Sequence, residues 1–198
     1  MKFISAAAAT LLFVSVLVIV YCVHISYFRV GVVFYAAIAD GVISAALTGI
    51  VLCAAKVFRS LGSFEKVQLI VIWLLLGYAL AISVPTVIDR SLSFYLLEKL
   101  QQRGGGIAQA SFEQLFAQEY MREHHLVEVR LTEQLESGTI EIVNGCVKLT
   151  KKGARLASFA RYFRQHWLPK QRLLMGDYSD KLTDPFRNSQ IAFNYLCD

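Results

Sequence analysis

An aspartate lies inside one of the most apolar stretches of this sequence. Asp40 falls within the run from Val32 to Val57, where the only other charged residue is Lys56. A carboxylate at the centre of a bilayer raises the free energy by at least about 2.5 kcal/mol, and it usually faces protein or water. Two interpretations stay open. Asp40 contacts a partner subunit or a substrate cavity, or it is protonated or locally hydrogen-bonded near one end of a tilted helix.

Small residues follow the aspartate on the same predicted helix. Such residues let a second helix approach closely within a membrane. We therefore predict a contact with a membrane partner here, although the packing could also be internal, against the first or third span. The predicted contact consists of Asp40, Gly41, Ser44, Ala45, Thr48 and Gly49.

A second group of polar residues marks the end of the apolar region. Pro85 stands where a kink is expected, because proline removes a helical hydrogen bond. Asp89 or Ser91 can cap the helix that follows. Arg90 can extend its guanidinium to lipid phosphates. We predict a junction that holds the next domain close to headgroups; alternatively, Asp89 and Arg90 contact a phosphate-bearing lipid substrate.

Other residues with reactive side chains form no recognisable site. His124 and His125 are adjacent and lack the spacing of a zinc pair, and the run Gly104 to Gly106 is not followed by Lys-Ser or Lys-Thr. The cysteines (Cys22, Cys53, Cys146 and Cys197) have no spacing of a metal site or disulfide framework, so we expect buried thiols. No catalytic residue, metal or cofactor is predicted.

The charge distribution separates a membrane region from a soluble one. Of the 198 residues 56% are hydrophobic; residues 1–90 hold nine charged side chains and residues 91–198 hold twenty-six. Apolar runs at about 3–26, 32–57 and 67–87 are long enough to cross a bilayer as helices. The first run exceeds a signal-peptide core and lacks a cleavage site, so we interpret it as an uncleaved anchor.

Positive charge does not determine the orientation of these spans, because each side of the membrane would carry four basic residues. Lys2, Lys56, Arg59 and Lys66 would lie on one side, and Arg29, Arg90, Lys99 and Arg103 on the other. Positive residues therefore favour neither side. We expect a multi-pass protein of a bacterial inner membrane with a cytoplasmic soluble domain, because Cys146 and Cys197 suggest no disulfide.

The sequence after the membrane region follows a regular order of elements. Residues 91–166 predict a helix, a Gly-rich turn, two helices, a hairpin at Asn144-Gly145 and a closing helix. The hairpin and its continuation, GTIEIVNGCVKLTKKGARL, resemble the wing of winged-helix domains through Gly138, Leu149, Thr150 and Gly153. The fold class is thus a mainly α membrane protein: three transmembrane helices, a winged-helix-like α+β domain and an extended tail.

Charge argues against DNA binding by this domain. The helix in the recognition position carries Glu128, Glu133 and Glu136 against Arg130. A helix that enters the major groove normally brings cations to the phosphates. No acidic residue lies between Ile142 and Gly176, so the basic side chains could meet anionic headgroups or form a solvated face. This predicted basic surface comprises Lys148, Lys151, Lys152, Arg155, Arg161 and Arg164.

Residues 167–198 form a tail that is too apolar for plain disorder. We predict an extended segment that docks on the domain, the membrane or another subunit through Leu173, Leu174, Tyr178 and Phe186. A second apolar patch runs from Ile191 to Cys197, and a turn is predicted at residues 183–186.

These patterns favour a non-catalytic, membrane-anchored accessory subunit. Its winged helix and tail would bind an integral-membrane partner at the membrane face, in a complex that could handle lipids or glycans, with membrane lipids as further partners and nucleic acid disfavoured. One alternative is a membrane-tethered DNA-binding transcriptional regulator. Another is a small membrane enzyme that acts on a lipid where Asp40, Asp89 and Arg90 converge.

Overall fold

The computed structural model describes residues 2–187 and divides the chain into two compact units. Unit 1 comprises residues 1–120 and unit 2 comprises residues 121–198. The chain is mainly helical, and its strands pair into two small antiparallel hairpins. The segment predicted to form one winged helix contributes to both units, because the division falls after Tyr120. The winged-helix assignment therefore stays a prediction.

Unit 1 begins with three helices that are long and apolar enough to cross a membrane. They are α1 (Lys2–Tyr27), α2 (Val33–Ala54) and α3 (Ser63–Ala81). The candidate span that begins with α3 continues to Arg90. The prediction of three apolar helices is confirmed, but α3 starts four residues earlier than expected because Glu65 accepts a hydrogen bond from the Gly62 backbone N–H and so caps it.

Aromatic packing joins α1 to α3. Trp73 and Phe13 are both fully buried, and their rings stack with centroids 5.4 Å apart. The indole Nε1 of Trp73 donates to Thr10 Oγ1 at 3.2 Å, which satisfies the buried donor. Their neighbours in this core are Ala9, Leu17, Ala45, Leu52, Phe58 and Leu61.

Two glycines bring α2 and α3 into backbone contact. A Cβ added at Gly77 would lie 3.0 Å from Gly41 Cα, and one added at Gly41 would lie 3.2 Å from Gly77 Cα. Helices approach this closely only where side chains are absent. Gly49 is less restricted, since its nearest neighbour would be the flexible end of Ile70 at 3.4 Å.

The third helix changes geometry at its only proline. Residues Ile82–Thr86 form a π-helical turn that contains Pro85, and a last α-helical turn follows at Val87–Arg90. Thr86 Oγ1 donates to the Ala81 carbonyl at 2.7 Å and occupies an acceptor that the altered register leaves available. Pro85 thus distorts the helix as expected, through a π turn.

The rest of unit 1 contains helix α4 (Leu92–Gln102) and a shorter helical segment α5 (Phe112–Gln114), which continues as a π-helix at Leu115–Tyr120. Ser91 caps α4 by accepting from the Phe94 backbone N–H at 3.3 Å, as predicted. Before α5 the chain forms a 3-10 turn at Gln109–Ser111, and Ser111 makes no side-chain cap bond to the helix that follows.

A buried lysine links α4 to the π-helix. The Lys99 side chain is 6% exposed, and its Nζ lies 2.8 Å from Glu119 Oε2. Arg103 Nη2 donates to both carboxylate oxygens of Glu119 at 3.1 Å. The Lys99 ammonium, and after it the Arg103 guanidinium, hold the pKa of Glu119 below its ordinary value of 4.5.

Unit 2 contains a short helical turn (Met121–Glu123), helix α6 (Leu126–Glu136), strands β1 (Ile140–Val143) and β2 (Cys146–Leu149), and helix α7 (Lys151–His166). Asn144 and Gly145 both have positive φ, as the predicted two-residue turn requires. Thr150 caps α7 by accepting from the Gly153 backbone N–H at 3.1 Å. The hairpin and both helices are confirmed.

The tail differs from the extended segment that the sequence predicted. Strands β3 (Arg172–Leu174) and β4 (Asp177–Ser179) pair as an antiparallel hairpin. Met175 and Gly176 turn the chain with φ values of 53° and 105°. The predicted docking residues Leu173, Leu174 and Tyr178 lie in this hairpin. The patch at residues 191–197 lies outside the described residues.

The described cysteines differ from the buried thiols that the sequence predicted. Cys146 is disulfide-bonded, whereas Cys22 and Cys53 are free and exposed on their helices. Because disulfides persist in oxidising compartments, the cysteine argument for a cytoplasmic soluble domain fails.

Candidate functional site

A histidine from α1 pairs with the buried aspartate of α2. His24 Nδ1 lies 2.6 Å from Asp40 Oδ1, while the Asp40 side chain is 2% exposed and that of His24 is 26% exposed. Asp40 Oδ2 is buried and has no hydrogen-bond partner among residues 2–187. Asp40 is therefore hydrogen-bonded within the chain, and one of its oxygens retains acceptor capacity. A contact of Asp40 with a partner subunit or a substrate stays a prediction.

Two apolar cavities meet at Asp40. One cavity of about 300 Å³ lies between α1 and α2 and is lined by His24, Phe28 and Ile43 beside the aspartate. The other cavity, of about 210 Å³, is lined by Asp40 together with Tyr21, Ala37 and Pro85. The structure thus brings Asp40 and Pro85 to one cavity. Asp89 is exposed and Arg90 half-buried, and neither residue lines these cavities.

The predicted partner-contact residues of α2 are buried by the chain itself. Gly41 meets Gly77, and Gly49 faces Ile70, so both lie against α3. Ser44 Oγ donates to the Asp40 carbonyl at 2.6 Å. Ala45 and Thr48 are also buried. Within this chain the surface packs internally, which the sequence left open as the alternative, and the contact with a membrane partner stays a prediction.

The basic surface lies on the second hairpin strand and α7 in unit 2. Lys148, Lys151, Arg155 and Arg161 are exposed. Lys152 donates to the Ser137 carbonyl, and the guanidinium carbon of half-buried Arg164 lies 5.7 Å from the centroid of the Phe186 ring. Two members of the predicted surface therefore have structural contacts, and the other four point to solvent.

The same helix carries an uncovered line of apolar side chains. Leu156, Phe159, Phe163 and Trp167 recur at helical spacing and are 54%, 60%, 42% and 68% exposed. We call these four residues the apolar stripe. Within residues 2–187 no other part of the chain buries this side of α7.

Helix α6 presents an acidic surface instead. Arg130 Nη1, from the only Lys or Arg of this helix, donates to Glu133 Oε2 at 2.8 Å. Glu128 is exposed one turn earlier. The guanidinium is therefore already engaged with a carboxylate, which makes the helix a poor surface for a polyanion.

The tail hairpin, residues 172–179, is fixed at its base and open on its face. Arg172 Nη2 donates to the Leu182 carbonyl at 3.1 Å, and Thr183 Oγ1 donates to the Lys170 carbonyl at 3.0 Å. Leu173 and Tyr178 are cross-strand partners that are 58% and 74% exposed. Sequence analysis identified these residues but missed their pairing.

Across residues 2–187 the structure holds no cluster of His, Cys, Asp and Glu side chains that could bind a metal ion. Comparison of the chain with protein-family models, with curated proteins and with solved structures gave no match.

Proposed function

We propose that the protein is a non-catalytic, membrane-anchored accessory subunit that binds a partner protein through unit 2. The observation that carries the proposal is the lack of a buried core among the described residues of this unit. Between residues 121 and 187, only Thr139 and Gly153 are buried. Large uncovered apolar areas on a folded chain are typical of interaction surfaces.

The tail hairpin is the part of unit 2 best suited to a protein partner. Tyrosine offers a large, rigid contact area with a polar end and is enriched among residues that dominate binding energy. Leu173 lies opposite Tyr178 and enlarges the same apolar face. The surroundings have mixed charge, with Arg187 donating to Asp180 through two bonds of 2.7 and 3.0 Å. Mixed charge suits a polar rim around an apolar centre.

The anchor restricts where that partner can lie. The three candidate spans would keep unit 2 at a membrane surface, and an integral-membrane protein is the partner most often within reach there. A complex that handles lipids or glycans fits this placement. The proposal does not depend on a bacterial inner membrane or on a cytoplasmic unit 2, which the Cys146 disulfide makes less favourable.

Photo-crosslinking in native membranes tests the proposal. Benzoylphenylalanine at position 178 should give one discrete adduct with an integral-membrane protein, and Leu173→Ser should reduce its yield severalfold. Val127→Ser on α6 is the matched control, because it removes a comparably exposed apolar side chain elsewhere in unit 2. A full chain that yields no adduct and purifies as a monomer from its native membrane would remove the proposal.

A small membrane enzyme acting on a lipid is the second candidate, and the His24–Asp40 pair favours it. A carboxylate that orients an imidazole beside an apolar cavity is an arrangement used for proton transfer. Lipid extracts from cells that carry Asp40→Asn should then differ from the wild type by accumulation of one lipid species. Identical extracts would exclude this candidate.

A further inference from the structure

Helix α7 combines an uncovered apolar stripe with uniform positive charge. Arg155 lies along one edge of the stripe, one turn after Lys151, while half-buried Arg164 lies along the other edge beside Phe186. No acidic residue occurs from Val143 to Met175. A helix with these properties differs from an ordinary core helix, whose apolar side is covered, and from an ordinary solvated helix, whose charges are mixed.

We propose that α7 lies flat on the surface of an anionic phospholipid bilayer, with the apolar stripe inserted among the headgroups and the basic edges paired with lipid phosphates. The proposal goes beyond partner binding by the tail hairpin and uses different residues. Three features of the structure support a lipid surface over a protein or nucleic acid.

The first feature is the composition of the stripe. Leu156, Phe159 and Phe163 lead to Trp167, which stands at the C-terminal end of α7 and is 68% exposed. Phenylalanine and leucine on one side of a helix with lysine and arginine at its edges are typical of helices that bind in the plane of a membrane. Tryptophan is favoured at the same depth, because its ring is apolar and its N–H is polar.

The second feature is charge complementarity with a contrast inside unit 2. Helix α6 carries Glu128, Glu133 and Glu136 and would be repelled by anionic lipid, whereas α7 carries cations alone. An anionic bilayer attracts Lys and Arg within about a Debye length. Of these two helices, only α7 has the charge that contact with an anionic surface requires.

The third feature is proximity. The candidate span that starts at Ser63 ends at Arg90, so the chain that carries α7 is already tethered to a bilayer. A weak interfacial helix becomes effective when a second anchor supplies a high local concentration. No free ligand has to be recruited.

Quenching of Trp167 tests the proposal in the full chain. The protein is reconstituted into nanodiscs of phosphatidylcholine alone and into nanodiscs that are about one third phosphatidylglycerol. The chain has two tryptophans, and Trp73 is fully buried, so subtraction of the Trp167→Phe signal isolates Trp167. We expect acrylamide to quench Trp167 at least about threefold less in the anionic nanodiscs at low salt.

Two variants divide the effect into its charge and apolar parts. Lys151→Gln with Arg155→Gln should abolish the difference between the nanodiscs, and Phe159→Ser should reduce it at unchanged charge. The control pair Arg122→Gln and Lys181→Gln removes the same charge from exposed positions of unit 2 outside α7 and should leave the difference intact. Circular dichroism of each variant checks that its helix content is unchanged.

Three outcomes would overturn the proposal. Equal quenching in both nanodiscs would show that anionic lipid does not cover the stripe. Protection of Trp167 in neutral nanodiscs that the charge variants do not alter would assign the stripe to a protein, such as a second copy of this chain. Protection that appears only with added duplex DNA would assign the basic edges to nucleic acid. Crosslinking at Tyr178 is read separately, so the two proposals can fail independently.

Discussion

His24 Nδ1 lies 2.6 Å from Asp40 Oδ1, so an imidazole on the first candidate span is hydrogen-bonded to a carboxyl group on the second. His24 lies three residues before the end of α1, and Asp40 lies seven residues after the start of α2. The contact therefore depends on how the two helices pack and not on equal distances from the turn that joins them. The pair thus compensates in part for two polar groups in apolar helices, although Asp40 Oδ2 stays without a partner among residues 2–187.

Removal of His24 alone should destabilise the protein more than removal of both partners. His24→Leu leaves the whole Asp40 carboxyl group unpaired in an apolar site, whereas His24→Leu with Asp40→Leu leaves neither polar group there. We expect a coupling energy of about 1–3 kcal/mol from the double-mutant cycle. Thermal unfolding in detergent measures it, and additive effects of the two substitutions would contradict the pairing.

Substitution of Gly77 should weaken the contact between α2 and α3. In Gly77→Ala the new Cβ would lie 3.0 Å from Gly41 Cα, which belongs to backbone and cannot move aside. We expect a loss of about 1–3 kcal/mol. Gly49→Ala is the matched control, because its Cβ would meet only the flexible end of Ile70. The Gly49→Ala control should be neutral or stabilising. The melting temperature of Gly77→Ala should therefore be lower than that of Gly49→Ala. Equal losses of stability in the two variants would contradict the close approach of α2 and α3.

Glu119 should make the stability of unit 1 depend on acid pH. Lys99 and Arg103 lower the pKa of Glu119 in the folded chain, so their stabilisation is complete above the ordinary value of 4.5 and is lost as the pH falls through the lowered value. Glu119→Gln should therefore have a lower melting temperature than the wild type at neutral pH. The difference between the two melting temperatures should narrow below about pH 4. Glu113→Gln, an exposed neighbour, serves as control. A gap that stays constant with pH would contradict the ion pair.

Glycine 153 should tolerate no side chain. A Cβ at this position would overlap the Thr139 carbonyl oxygen and lie 2.8 Å from Leu149 Cδ1, so the hairpin and α7 would have to separate. Gly153→Ala should cost about 2 kcal/mol or more despite the better helix propensity of alanine. Ser158→Ala, at an exposed position of the same helix, should change stability by less than about 0.5 kcal/mol. Hydrogen exchange of the β1 and β2 amides reports the local loss, and unchanged protection in Gly153→Ala would contradict the contact.

Local chemistry decided what could be predicted from sequence. The Asn144-Gly145 turn depends on two neighbouring residues, and it was predicted correctly. The Met175-Gly176 turn was missed, because methionine rarely adopts positive φ and gave no turn signal. The His24–Asp40 pair was missed, because it depends on the register of α1 against α2 and the two residues lie at unequal distances from the turn between the helices. Packing between helices depends on distant residues, and periodicity alone does not determine it.

The π turn at Ile82–Thr86 changes the direction, around the helix axis, of every side chain that follows it in the third span. One extra residue in a helical turn rotates later side chains by roughly 100° relative to an unbroken α-helix. A helical wheel drawn straight through residues 63–90 would therefore assign Asp89 and Arg90 to the wrong side. Deletion of Pro85 would remove both the extra residue and the missing N–H, and it would redirect both charged groups at once.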